Sequence, residues 1–498
     1  MKKYDTVIIG GGLGGLLCGY ILSKEGRSVC ILEKNERVGG CLQTFDFDGR
    51  SFDSCVYYFG GYDKGQNLRR YFRYFGLADK LDAVRMDEGG FDRIAFMNGR
   101  DEFKIAMGYE NFIETLAEKF PSERQALKEY IKAVRSVCAD FPLYNPEMKR
   151  ADTLDKKDLH ANAREFIASL TADRRLRGVL AGENLLYAGV GAQTPLYVHA
   201  LITNSFIQGA WRFRGGSGQL ADLLAGSIKA MGGEILTGSE VTGIIAEGGK
   251  AKSVRLADSR IIEAGDFISD IHPSLALGMI EGGDLRKVYR ERMTGLPNTV
   301  SAFLLYITLK EDRIKPASCN YFYYKDENVW DTHEYLEDEW PKSCLVSFSE
   351  PEAGKNCAGT LSVASYMRYD EVRKWENTVS GERGDGYAEF KRKKAEILIS
   401  FLRKKRPDLA DNIRSYCVST PLSLRNYTGT VGGAMYGISR DCARARRTLV
   451  MTRTKLPNLY LTGQNTVLHG LLGVTISSVL TCGELVGTEK LLDKIRNA

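Results

Sequence analysis

The sequence predicts a mixed α/β protein: a doubly wound, largely parallel sheet assembled from separated stretches of chain, with an α+β region inserted between them. Three observations predict it. An apolar strand, Thr6 to Ile9, runs into a glycine-rich turn and a helical stretch, and a second apolar strand, Ser28 to Leu32, follows at once. The far end of the chain repeats the order strand, glycine, helix from Asn458 onward. Between these ends the pattern changes from helical spacing to β-like runs, as in Ser301 to Leu309, Asn320 to Tyr324 and Leu361 to Tyr366.

In the first unit the turn reads Gly10-x-Gly12-x-x-Gly15. Gly10 permits the tight turn, Gly12 lets the backbone approach a pyrophosphate, and Gly15 allows close helix–strand packing. The helix expected from Gly14 to Glu25 points its positive N-terminal dipole at the phosphates. The second strand ends at Glu33, with Lys34 beside it. A carboxylate there can accept both hydroxyls of an adenosine ribose and favours NAD or FAD over the 2′-phosphate of NADP. The paired glycines of Arg37-Val38-Gly39-Gly40 suit a flavin dinucleotide lying against the backbone.

Bulk properties narrow the class. A chain of 498 residues, 43% hydrophobic and 27% charged, is of soluble globular type and long enough for two or three domains. Its 69 basic and 63 acidic residues give a net charge of +6, compatible with resting on an anionic membrane surface, and no nucleic-acid motif accompanies it. The 11 cysteines lack C-x-x-C spacing and read as reduced thiols in a cytoplasmic setting. With 5 histidines, no metal site is expected. No signal peptide or spanning apolar run is evident.

Further along, Phe45 to Asp53 alternates around Gly49 as a hairpin. Tyr109 to Ala139 has helical spacing, and the charged stretch from Lys149 to Arg177 reads as surface helices. Gly215-Gly216-Ser217-Gly218 leads into a helix ending near Met231. Short strands follow at Glu234–Thr237, Glu240–Ala246, Ser253–Leu256, Arg260–Ile262 and Asp266–Ser269, and then Asp270-Ile271-His272-Pro273. They supply the strands the N-terminal unit lacks. Lys391 to Lys394 and Arg403 to Arg406 flank apolar residues. This is a basic amphipathic helix on a membrane surface or, the reading preferred here, a core-facing helix with a solvated basic face.

At the C-terminal end, the strand Asn458 to Leu461 leads into Thr462-Gly463-Gln464-Asn465, and a helix is expected to begin near Gly473 to Ile476 and run to about Leu492. Such a helix start aims amides at developing negative charge, as reduced flavin carries, whereas a nicotinamide needs no such element there.

With these segments together, the chain resembles the FAD-dependent superfamily of phytoene desaturases, carotenoid isomerases and retinol saturases, whose fold is shared with amine oxidases. The matching residues are the fingerprint through Gly40, Phe52-Asp53-Ser54-Cys55-Val56-Tyr57-Tyr58-Phe59-Gly60-Gly61, Gly215 to Gly218, Thr420 to Gly429, Gly432 to Gly437, and Leu459 to Asn465 with Leu468-His469-Gly470. The ending resembles the saturase and isomerase side more than classical desaturases. Tyr57 departs from the histidine expected there, which weakens transfer of retinol-specific chemistry.

The resemblance implies a discontinuous Rossmann-like FAD-binding domain (residues 1–90, 211–275 and 450–498) with an inserted α+β substrate domain (91–210 and 276–449). It places FAD on Gly12, Leu13, Gly14, Gly15 and Glu33, along Arg37, Gly40 and Cys41, at the Val241 backbone, and on Gly463, Gln464, Gly473, Val474 and Thr475. The implied activity is flavin N5 hydride chemistry on C=C bonds of a hydrophobic polyene or isoprenoid-like lipid: saturation, desaturation or isomerisation. Candidate proton donors are Tyr58 first, then His469, with Tyr57 and Tyr436; each also has a purely structural reading. Cys41 and Cys55 lie near the flavin path as small packing residues. The electron donor or acceptor is not specified, because no second complete fingerprint exists. Two alternatives stay open: an amine or porphyrinogen oxidase, and a flavin-free prenyl-lipid binder of the Rab GDP-dissociation inhibitor kind. The expected location is cytoplasmic, peripheral to the inner face of the membrane.

Overall fold

The computed structural model describes residues 3–146, 159–282, 285–351 and 357–498. Its first sheet is eight-stranded. Lys3–Ile9 lies between Val29–Leu32 and Ile261–Ser269, parallel to both, and Glu234–Leu236 extends the sheet beyond Val29–Leu32, again parallel. Val7, Ile9, Cys30 and Leu32 face one core cluster while Ile8 and Ile31 face another, so both faces are covered. The fingerprint helix Leu13–Lys24 packs on the second face together with the C-terminal helix Gly470–Val486.

Two strands expected as separate, Arg260–Ile262 and Asp266–Ser269, form one nine-residue strand, Ile261–Ser269. Its first half pairs antiparallel with Lys250–Leu256, and its second half pairs parallel with Leu459–Leu461. Gly265 interrupts the sequence pattern, but pairing with Lys3–Ile9 along its length holds the strand straight. The sheet thus recruits the C-terminal stretch beside the N-terminal one.

The second sheet has seven strands, in the order Ile413–Ser419, Ser301–Leu309, Thr360–Met367, Ser343–Phe348, Asn320–Tyr324, Asp92–Phe96 and Glu102–Ile105. Alternation splits its faces. Leu304, Tyr306, Phe322, Leu345, Ala364 and Tyr366 point inward, while Phe303, Leu305, Ile307, Tyr323 and Val363 face the helix Asp385–Arg403. That helix is the basic one. Ala395, Leu398, Phe401 and Leu402 are buried on the sheet, leaving Ile397 as the one large apolar side chain of the helix that is well exposed. Lys394 is buried too, 2.5 Å from Glu371. The apolar face is therefore occupied by the core, as in the preferred reading.

Other boundaries shift in informative ways. The hairpin Thr44–Phe47 and Arg50–Asp53 turns through Asp48 and Gly49, both at positive φ, as a two-residue turn demands. Of the charged stretch read as surface helices, residues 149–158 lie outside the described residues. The rest forms Ala163–Leu170 and Arg174–Leu180, whose Ile167, Leu176 and Val179 are buried in the core. The C-terminal helix begins at Gly470, earlier than expected, and breaks at Gly487 before a further helix, Thr488–Arg496. No helix among the described residues is long and apolar enough to cross a membrane.

A Cβ on Gly15 would stand 2.0 Å from the Gly10 carbonyl oxygen, so the fingerprint helix can start against its strand only with glycine there. Gly15→Ala is expected to lower folding stability by about 1–3 kcal/mol, measured as the denaturant midpoint of the apoprotein.

Candidate functional site

Three backbone segments meet at the start of the fingerprint helix. The Gly39 amide donates to the Gly11 carbonyl at 2.7 Å, and Gly12 pairs with Gly39 as an isolated bridge, so the two glycine motifs clasp each other directly. Gly463, at φ +86°, comes in from the C-terminal stretch, and a Cβ on Gly14 would lie 3.1 Å from its Cα. Gly12 caps the helix without a side chain, leaving the first-turn amides open to an anion.

The Asp270 carboxylate occupies this cradle. Cβ atoms placed on Gly12, Gly14 and Gly463 would come within 2.7, 2.3 and 2.4 Å of its oxygens, and the Gly15 amide lies near enough to favour its charged form. Burial above all, with the nearby Glu33 charge, pushes Asp270 up to about 7. Glu33 itself is buried, accepting from the Gly11 and Asn35 amides, both at 2.8 Å. The Glu33 carbonyl accepts from Ser239 at 2.8 Å, which brings the start of Val241–Glu247 to the same sheet end.

From the cradle a cavity of about 310 Å³ runs between the inner face of the seven-stranded sheet and the helix Leu196–Gln208. Gly12, Leu13, Gly14, Gly39, Gly40, Cys41, Gln464, Gly473 and Val474 line its cradle end, and Tyr57, Tyr58, Tyr436 and His469 also line the cavity. Apolar groups form the far walls, among them Leu185, Leu201, Ile202, Phe206, Leu304 and Leu345.

The remaining predicted positions lie outside the lining. Gly10 and Gly15 are held within the strand-to-helix turn. Lys34 is exposed and donates to the Asn426 carbonyl at 2.8 Å, and the Arg37 side chain is exposed. Thr475 is fully buried, its hydroxyl turned back to the Leu471 carbonyl at 2.7 Å. Gly473 has a packing reason for being glycine: a Cβ would stand 2.4 Å from the Leu468 carbonyl oxygen. Gly215 to Gly218 is also structural, since Asp53 accepts from the Ser217 amide at 2.6 Å and from its hydroxyl at 2.7 Å.

The four proton-donor candidates differ chemically. His469 donates or accepts only at Nε2, 3.0 Å from the Leu186 carbonyl, so that nitrogen carries the proton. Burial holds its pKa at about 4, so the ring is neutral, and it lies tilted against Tyr436 with ring centroids 4.3 Å apart. A neutral imidazole with its one N–H engaged is an acceptor rather than an acid. Tyr436 donates to the Leu185 carbonyl at 3.0 Å, and the buried Tyr57 hydroxyl has no partner in bonding geometry. Tyr58 donates to Asp92 at 2.7 Å. Burial raises all three phenols. Cys41 and Cys55 contact each other in the lining.

Residues 13–276, more than half of the chain, match the family model of flavin containing amine oxidoreductases. The chain belongs to that family. It is an FAD-dependent oxidoreductase. Among its relatives is the all-trans-retinol 13,14-reductase of Homo sapiens, 26% identical over 552 residues that cover 100% of this chain and 87% of that protein. A chloroplastic prolycopene isomerase of Daucus carota is 24% identical over 525 residues, covering 99% and 81%. Solved structures share the fold across the family. An oxidoreductase from Methanosarcina mazei aligns with TM-score 0.65 at 16% identity, covering 96% of this chain and 99% of that one. A fatty acid isomerase from P. acnes aligns with TM-score 0.61 at 13% identity, covering 98% of each.

The side-chain-free cradle and open helix amides fit a pyrophosphate, but Asp270 sits among the same donors, a signal readable in Asp270-Ile271-His272-Pro273 only once the cradle is seen. A pyrophosphate on those amides requires Asp270 neutral or displaced. Because phosphate charge raises its pKa further, FAD binding takes up a proton, and affinity falls as pH rises through about 7 by up to about tenfold per pH unit. Asp270→Asn is expected to bind FAD more tightly at pH 8 and to flatten this dependence, measured by flavin fluorescence titration of apoprotein.

Proposed function

We propose that this protein uses FAD to saturate, desaturate or isomerise C=C bonds of a hydrophobic polyene or isoprenoid-like lipid. The observation that carries the reading is the continuity of the glycine cradle with an apolar cavity whose far walls offer no charged group. A cationic amine would need a carboxylate there, and Asp270, the acidic residue in the lining, lies at the cradle end. The names of the retinol reductase and prolycopene isomerase relatives support the same substrate class.

In this reading Glu33 holds the adenosine ribose, Gly12 to Gly15 the pyrophosphate, and Gly39 to Cys41, Gln464 and Val474 the stretch toward the flavin. When bound and reduced, FAD supplies a two-electron hydride equivalent. The walls formed by Leu201, Ile202, Phe206 and Leu304 align the polyene and exclude water, so that a proton reaches it only from the protein. Tyr58 is the donor best placed to be resupplied, being already hydrogen-bonded to a buried carboxyl. A peripheral membrane contact would serve such a substrate, through a surface other than the occupied face of Asp385–Arg403.

Anaerobically reduced holoprotein, offered retinoids, carotenoids and unsaturated fatty acids, is expected to give a product shifted by +2, −2 or zero mass units with altered retention. Peroxide release from amines or porphyrinogens, with no polyene converted, would favour an oxidase, and a colourless protein that takes up no flavin would favour a lipid binder. Tyr58→Phe is expected to lower polyene turnover by about 10²-fold or more with FAD affinity retained, measured by single-turnover flavin reoxidation and fluorescence titration.

A further inference from the structure

Beneath Tyr58, on the side away from the cavity, two carboxyl groups lie where neither charge is readily accommodated. Asp92 begins the strand Asp92–Phe96, and Glu183 lies in the turn after Arg174–Leu180. They are 0% and 3% exposed. Asp92 accepts from Tyr58 at 2.7 Å on one oxygen and from the Asn320 amide at 2.9 Å on the other. The Asn320 orientation is fixed, because its carbonyl accepts from Arg212 at 3.1 Å and from Ser347 at 2.7 Å. Arg212 is in turn paired with Glu350 at 3.1 Å, and its charge partly offsets the effect of burial on Asp92.

Glu183 has no cation beside it among the described residues. Its carboxyl lies beside that of Asp92 and beside the Thr203 hydroxyl, and its Oε1 makes no hydrogen bond in bonding geometry. Its other ionisable neighbours are the phenols of Tyr130, Tyr187 and Tyr324, and Cys319 lies near Asp92; all are raised by burial and neutral. Two adjacent carboxyls in such a place are disfavoured as two charges, so at rest one proton stays with the pair and double ionisation is only transient. Burial pushes Asp92 up to about 6 and Glu183 well up. His199 is not the source, since both ring nitrogens are bonded to tyrosine hydroxyls, Tyr130 at 2.7 Å and Tyr187 at 2.9 Å. Anchoring Tyr58 requires one acceptor. A second buried carboxyl beside the first, with no cation of its own among the described residues, is unexplained by anchoring and is explained by proton storage.

We infer that Asp92 and Glu183 hold one proton between them and deliver it through the Tyr58 phenol to the substrate cavity. The inference rests on the functional reading above. In a saturation the stored proton lies on the Asp92 oxygen that faces Tyr58 and donates to the phenol, which turns its own O–H to the cavity. That O–H bond breaks as a C–H bond forms at the alkene carbon that does not receive the hydride from reduced FAD, using the electron pair left on that carbon. The stored proton moves to the Tyr58 oxygen, leaving the pair doubly ionised. Water returns one proton after product leaves. Desaturation runs the same path backwards. Asp92 and Glu183 act through Tyr58 and position its proton without touching substrate.

The test has two independent readouts on the holoprotein. Infrared spectra in H2O and D2O at neutral pH should show a protonated-carboxyl stretch that shifts with deuterium and is lost in Glu183→Gln and Asp92→Asn. Single-turnover reoxidation of photoreduced FAD by a converted polyene should slow at least tenfold in Glu183→Gln and recover largely in Glu183→Asp. Turnover without the carboxyl band in wild type overturns the relay and leaves the function standing. A band with no polyene converted by wild type overturns the functional reading and, with it, the relay's destination. Wild-type rates in both carboxamide variants overturn the relay even if the band is present. The spectrum of Asp270→Asn, from which the cradle carboxyl is removed, decides the shared proton should either variant fail to fold: a remaining band supports it and none overturns it.

Discussion

The structure depends on a backbone-to-backbone clasp around the start of one helix. Gly39 donates to Gly11, Gly14 lies against Gly463, and the first-turn amides of Leu13–Lys24 are left without side-chain caps. Chain segments separated by more than four hundred residues are brought together at a point where no side chain intervenes. Everything else is arranged about that point: the parallel sheet aims its strand ends at it, and the cavity opens from it. Because an open helix N-terminus attracts anions, the apoprotein fills it with its own carboxylate, Asp270, and so couples cofactor binding to a proton.

The seven-stranded sheet solves a different problem. Its central strands are apolar on both faces, one face under the helix Asp385–Arg403 and the other walling the cavity. A cavity with such apolar far walls suits a lipid and makes protonation the difficult half of the chemistry, since few proton donors face it. Three buried ionisable groups, Asp92, Glu183 and Arg212, lie just behind that wall. Ionised groups are rarely retained in such surroundings without use, because burying them is unfavourable unless they are paired or share a proton.

Much of the parallel sheet was legible, because strand, glycine turn and helix each leave a local signature. Ser301–Leu309 and Asn320–Tyr324 could be read directly, being continuous apolar runs. Asp92–Phe96 and Ile413–Ser419 were not read, since mixed polar and apolar residues give no clean period. Gly265 concealed the continuity of Ile261–Ser269, which sheet pairing restores. In the site, the glycines and Tyr57, Tyr58, Tyr436 and His469 were named from the residues, but neither the neutrality of His469 nor the roles of Asp270, Asp92 and Glu183 could be. Those properties come from burial and from partners far away in the chain.

The sequence by itself determined the cofactor class, because a dinucleotide is held mainly by backbone, and backbone geometry is encoded locally by glycine spacing and a strand-terminal acid. Only the tertiary structure decided which side chains carry a charge and which a proton. Protonation depends on dielectric and on neighbours: Tyr58 and Asp92 are 34 positions apart, and Asp92 and Asn320 are 228 apart. That environment exists only once the two sheets have closed around the cavity.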